Sequence, residues 1–191
     1  MLTERQRQIV NIAIKLVSEH GIQNLTIKNI AREIGFSEPA LYRHFDSKFD
    51  IVMALLDRFQ EISNFVLSKT EQANLTSIQK IEKFLFDRYK RFTEDPHTAK
   101  VMFSEGIFRD DPRYSHKMLS IMHQHANTVQ EIIREGQLNE ELRSDIEPKD
   151  LFKIIFGSMR LLVKQWCLAD CNFNLILESR QLWLSVKKLI T

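Results

Sequence analysis

Residues 25–50 read LTIKNIAREIGFSEPALYRHFDSKFD, and no long helix or strand can run through them. Thr26 is placed to cap a helix whose apolar positions Ile27, Ile30, Ala31 and Ile34 recur at helical period. Gly35 then breaks the pattern where the chain must turn sharply, because glycine reaches positive φ without steric cost. Ser37 caps the next helix. Glu38 suits the positive end of that helix, and Pro39 is tolerated in a first turn, where a backbone N–H has no intrahelical partner to lose. Ser47, with Asp50 three residues on, opens another helix. The stretch is therefore a short helix, a glycine turn, a second short helix and the start of a third.

The segment before it is one amphipathic helix. Thr3 and Gln6 have capping-box spacing, Ile9, Ile12, Ala13, Leu16 and Val17 follow at helical period, and Gly21 supplies the stop. Beyond residue 50 the pattern lengthens. One helix is predicted over 47–71, and a second, capped by Thr76 with Gln79, runs to about Glu94. Asp95-Pro96 and Asp111-Pro112 each set a capping side chain before a proline at the first helical position, predicting helices over about 97–108 and 112–136. A polar connection containing Gly136 and Pro148 leads to two apolar helices, about 149–170 and 174–190. Five Gly and four Pro in 191 residues leave too few turns for a sheet. The expected fold is all-α, about nine helices: an N-terminal three-helix unit over residues 1–50 and a larger helical domain over 51–191.

Two helices crossing steeply over a tight turn need a small residue at the crossing, a glycine in the turn and apolar residues locking the pair. Ala31, Gly35 and the set Ile30, Ile34 and Leu41 occupy those places. This is a helix-turn-helix pattern, which predicts that the second helix lies in the DNA major groove. Ser37, Glu38, Ala40 and Arg43 would then face base edges, with Pro39 in the same first turn. Tyr42, His44 and Lys48, and from the preceding helix Thr26 and Lys28, could hydrogen-bond phosphates, contacts that fix register more than they read sequence. Leu41 and Phe45 are core positions. Charge alone would not suggest DNA. The net charge is +2, and the cations of residues 1–50 (Arg5, Arg7, Lys15, Lys28, Arg32, Arg43, Lys48) face nearly as many acids.

The run TIKNIAREIGFSEPALYRHFDSKFDI resembles the DNA-binding region of the tetracycline-repressor (TetR) family of bacterial transcription regulators: the Thr, the Ile-Ala pair, Gly-x-Ser, Leu-Tyr-x-x-Phe and Ser-Lys stand in register over residues 5–52. Phe49, where the family often has a charged residue, and Glu38-Pro39 at the start of the reading helix depart from it. The resemblance implies an effector pocket in the middle helices. Phe84, Met102, Phe103, Phe108, Met118, Met122, His123, Phe156 and Trp166 are its candidate lining, suited to a small apolar or aromatic ligand. It also implies that the last two helices pair with their symmetry mates as a four-helix bundle. Phe152, Ile155, Met159, Val163, Leu182, Trp183 and Val186 are the candidate contacts, since these helices are apolar over more than one face.

Other chemistry is weakly represented. His116 and His123 are seven apart without a spaced carboxylate or cysteine set, so no metal is expected. Cys167 and Cys171 read as reduced thiols, and no cofactor or catalytic motif is recognised, so no enzyme is expected. With no signal-like start and no long apolar run, a cytoplasmic protein without a membrane partner is expected. Together these readings predict a ligand-responsive homodimeric repressor on a palindromic operator in double-stranded DNA. The alternative is a DNA-binding architectural factor without a small-molecule effector.

Overall fold

A computed structural model describes residues 2–104 and 111–191. Among these the chain forms nine α-helices and no strand: α1 Glu4–His20, α2 Ile27–Ile34, α3 Glu38–Tyr42, α4 Lys48–Glu71, α5 Ser77–Glu94, α6 Pro96–Met102, α7 Pro112–Leu138, α8 Pro148–Leu168 and α9 Leu175–Ile190. A single 3-10 turn, Ile22–Asn24, precedes α2.

Helix starts follow the capping chemistry. Thr3 and Thr76 each accept the N–H of the residue three on, while Gln6 and Gln79 reach back to the cap backbone. Ser47 accepts the Asp50 N–H at 3.3 Å and donates its own proton to the Asp50 carboxylate at 2.6 Å. Pro96, Pro112 and Pro148 each occupy a first helical position. At the other end of α9, the Arg143 guanidinium donates to the Leu189 carbonyl at 3.1 Å and its backbone N–H to Ile190 at 2.9 Å, placing a cation where the helix dipole is negative.

Two boundaries differ from the sequence pattern. The helix predicted to reach residue 108 ends at Met102, with Ser104 donating three residues back to Val101 in the tightened geometry of a helix end. Gly136 does not stop α7 but lies inside it. The stop comes at Glu140, which takes φ 58°, and Glu141 and Leu142 then donate back to the Gly136 carbonyl at 2.8 and 3.1 Å. Gly136 is there for space: a Cβ would sit 2.8 Å from both the Ser77 Cβ and a Leu142 methyl.

The chain divides into two compact units. The first comprises residues 1–61 and 97–119, the second 62–96 and 120–191. The core of the first is built from Ile9, Val10, Ala13 and Leu16 of α1, Ile30 and Ala31 of α2, Leu41 and Phe45, and Ile51, Leu55, Leu56 and Phe59 of α4. Phe49 stacks on Tyr114 with ring centroids 5.3 Å apart, and the Arg113 guanidinium lies 3.8 Å over the Phe49 ring, so the residue that replaces a charge here binds one instead. The core of the second unit is drawn from α5 (Ile81, Phe84, Leu85, Tyr89, Phe92), α7 (Ile121, Val129, Ile132, Ile133), α8 (Leu151, Ile155, Met159, Val163, Trp166) and α9 (Leu175, Trp183, Val186, Ile190).

Candidate nucleic-acid interface

The α2–α3 pair is locked from inside. Gly35 adopts the left-handed conformation (φ 77°, ψ 29°). Its N–H donates to Arg32 at 3.3 Å and that of Phe36 to Ala31 at 2.8 Å, the paired bonds of a Schellman end. Ser37 then accepts the Ala40 N–H at 3.3 Å and starts α3. Leu41 and Phe45 are buried beneath it, which fixes the outward side. Gln6 of α1 donates to the His44 carbonyl at 3.0 Å, tying the first helix to the end of the third. The His44 ring stacks on Phe36 at 6.3 Å, and Arg5 lies 5.7 Å from the same ring.

Of the residues singled out for DNA, Thr26, Lys28, Ser37, Glu38, Pro39, Tyr42 and Arg43 are exposed, and Ala40, His44 and Lys48 are half-buried. Tyr42 exposes 47% of its surface, high for a side chain that could have packed inward. All ten belong to the first unit.

The candidate effector residues are divided. Phe84 and Phe156 meet in the second unit with centroids 5.5 Å apart. Trp166 is buried in the same unit, its indole N–H donating to the Phe173 carbonyl at 3.1 Å, which makes it a satisfied core residue. Met122 and His123, also of that unit, are exposed. Met102, Phe103 and Met118 belong to the first unit and are half-buried. Phe108 lies outside the described residues. Of the pairing candidates, Ile155, Met159, Val163, Trp183 and Val186 are buried within the protomer, and Phe152 and Leu182 half-buried. The apolar side chains that α8 and α9 leave in solvent are others: Ile154, Leu161 and Leu168, seven residues apart, and Leu177, Leu184 and Leu189.

Sequence reading passed over three buried polar side chains in the second unit. Ser63 of α4, Arg88 of α5 and His125 of α7 are all buried. The signal was available. In α5, Arg88 falls on the inward register of Ile81, Phe84, Leu85, Tyr89 and Phe92, and in α7, His125 follows Ile121 by four. Burial and the Arg88 charge push the His125 imidazole down to about 4, so it is neutral at neutral pH. Burial raises the Tyr89 phenol far above its ordinary range. Among the described residues no three His, Cys, Asp or Glu side chains converge as metal ligands, and no helix is long and apolar enough to cross a membrane.

An all-helical chain with a locked helix-turn-helix, and with the outer side of its second helix open, belongs to the class of DNA-binding transcriptional regulators. The sequence matches "Bacterial regulatory proteins, tetR family" over residues 9–55 and "YsiA-like protein, C-terminal region" over residues 57–189. The chain is a member of the TetR family, whose regulators bind DNA and dimerise. It is 26% identical over 147 residues to the nucleoid occlusion factor SlmA of Actinobacillus pleuropneumoniae serotype 5b, covering 74% of this chain and 73% of that protein. Among solved structures it is similar to the fatty acid degradation regulator FadR of Bacillus halodurans, with TM-score 0.84 and 20% identity over 99% of this chain and 95% of the other. It is also similar to FadR of Bacillus subtilis in complex with stearoyl-CoA, with TM-score 0.80 and 21% identity over 96% of each chain. At these identities the structural likeness is one of fold.

Proposed function

We propose that the protein is a ligand-responsive homodimeric repressor, with residues 1–50 as the DNA reader and residues 51–191 as the effector and dimerisation domain, working in the cytoplasm on a palindromic operator. The observation that carries this reading is α3 itself: Leu41 and Phe45 are buried while Ser37, Glu38, Pro39, Tyr42 and Arg43 are exposed. On this reading Ser37, Glu38, Ala40 and Arg43 face base edges. Thr26, Lys28, Tyr42, His44 and Lys48 hold phosphates. Glu38 repels phosphate and can accept only from a donor such as a cytosine amino group, so it contributes selectivity rather than affinity.

One such reader buries little surface on DNA, and two copies on a two-fold site are needed for useful affinity. The exposed leucines of α8 and α9 are the pairing surface in this proposal. One of them, Leu161, lines a groove between α8 and α9 together with Leu162 and Leu182, and apolar area of this kind is costly to leave in water. The effector is an apolar molecule, held by some of the aromatic and methionine side chains of α5 to α8. α4 runs unbroken from Lys48 to Glu71 and is the lever. An effector acts only through its differential affinity for two states, so operator must weaken effector binding by the factor by which effector weakens operator binding. The second reading, a DNA-binding architectural factor without a small-molecule effector, has less support than the first.

The test is selection of bound sequences from a random duplex pool at fixed moderate salt, with Tyr42→Ala as control. A palindromic site lost in the variant is the expected result. Sequence-blind, salt-sensitive binding by both proteins would refute the reader.

A further inference from the structure

Among the described residues, the interior of the second unit holds a cation without a counter-charge. Arg88 is 8% exposed, and one of its terminal nitrogens donates to the Ser63 hydroxyl, itself 1% exposed, at 3.1 Å. Among the described residues the Arg88 Nε–H has no acceptor, and the Nε2 of His125, also 8% exposed, has no partner either. Among the described residues no carboxylate offsets the guanidinium, whose pKa burial alone pushes down to about 10. Besides the Ser63 hydroxyl, the guanidinium meets two aromatic faces, Phe84 and Phe92, both with centroids 5.5 Å from its central carbon. Phe84 continues into Phe156 at 5.5 Å, and Phe156 stacks on Phe152 at 4.4 Å.

Buried charges in folded proteins are paired, because desolvation of an isolated ion outweighs what ring faces return. Here the missing element is a negatively charged group that only accepts hydrogen bonds. A carboxylate meets that description, and arginine is the side chain that matches it in geometry. With His125 neutral the cluster carries a single positive charge, which one carboxylate balances; a phosphate dianion would leave a buried negative charge. We propose that Arg88, Ser63 and His125 form the seat of a carboxylate, and that the effector is an apolar monocarboxylic acid whose chain lies along Phe84, Phe92, Phe156 and Phe152. This rests on the effector reading above and deepens it. In the complex Arg88 supplies the charge and its free Nε–H, His125 donates from Nε2, and the Ser63 hydroxyl, accepting from Arg88, keeps its own proton to give.

The test titrates the full-length protein calorimetrically with decanoate, decanol and decyl phosphate. Decanoate should bind at least about tenfold more tightly than decanol, the factor expected of a charge-assisted contact in a dry site, and Arg88→Met should bind the two alike. The preference in the wild type decides the matter even if that variant does not fold. Equal binding of acid and alcohol overturns the seat, as does a preference surviving in a folded Arg88→Met. Tighter binding of decyl phosphate overturns the single-charge argument and with it the carboxylate. Duplex binding on the same preparation separates the two failures. Operator selectivity without a carboxylate preference sinks the seat alone. Carboxylate preference without operator selectivity supports the seat and sinks the regulator reading.

Discussion

Acidification below about pH 6.5 should weaken the second unit, and His125 is the reason. Its imidazole is buried and pushed down to about 4, first by desolvation and then by the Arg88 charge, whereas in an unfolded chain it titrates at about 6.5. Below about 6.5 the unfolded state takes up a proton that the folded state refuses, so stability is full above that pH, falls with each step down, and stops falling near 4. The gap of roughly 2.5 units, at about 1.4 kcal/mol each, is worth about 3.5 kcal/mol. That is a large part of a typical domain's stability of about 5–15 kcal/mol. Asp111, Asp145 and Asp150, held low by Arg113, Arg143 and Lys153, lose their pairing only below the ordinary carboxylate range, and so act beneath this window. Both tryptophans, Trp166 and Trp183, lie buried in the same unit and report on it. Urea midpoints by tryptophan fluorescence at pH 7, 6, 5 and 4.5, at constant ionic strength, should fall steeply for the wild type and far less for His125→Gln, which keeps a donor but does not titrate. Parallel profiles for the two proteins would refute the reasoning.

Other perturbations separate packing from function. Gly136→Ala gains about 1 kcal/mol of helix propensity but forces a Cβ to within 2.8 Å of the Ser77 Cβ and a Leu142 methyl; overpacking at about 1–3 kcal/mol should prevail, lowering the urea midpoint, and a raised midpoint would contradict the close approach. Leu161→Glu combined with Leu184→Glu replaces two side chains exposed by 59% and 62% in the protomer; helicity by circular dichroism should persist while sedimentation shows a monomer, and an intact dimer would move the pairing surface elsewhere. A double-mutant cycle of Phe49→Leu and Arg113→Met should give a coupling of about 1 kcal/mol in thermal unfolding, from the guanidinium 3.8 Å over the ring. A coupling of zero would make that contact incidental.

What was legible in the sequence was local. Thr3 with Gln6, Thr76 with Gln79, Gly35 and Ser37 act over three or four residues, and each stands in the structure as its chemistry requires. The all-helical class followed from the same short-range signals. Longer-range choices were not legible, because periodicity marks a face as apolar without saying what covers it. In α8 the stripe Leu151, Ile155, Met159, Val163 and Trp166 turns inward, and Ile154, Leu161 and Leu168 stay in water; both stripes are apolar at helical spacing, and only the packed unit tells them apart. His123 and His125 differ by two positions, close to opposite sides of a helix, and the inner one is marked only by its register with Ile121, four residues before. Gly136 has the composition of a stop and the structural role of a gap.

Two places invert the ordinary rule that apolar groups are buried and charges exposed. On α8 and α9 large leucines remain in solvent; in the second unit an arginine is enclosed with no acid beside it among the described residues. Each is unfavourable for the isolated chain, by about 25 cal/mol per Å² for the apolar surface and by several kcal/mol for the enclosed ion. Neither is needed to form the helices, whose caps and core stripes suffice, so both are better explained by what the chain binds than by how it folds. The two costs also differ in what relieves them. Covering the leucines stabilises the protein in proportion to its own concentration, whereas filling the seat beside Arg88 stabilises it in proportion to a ligand's. Thermal unfolding followed across protein concentration and then across decanoate concentration would resolve them as separate slopes, and a protein insensitive to both would leave each inversion without a partner.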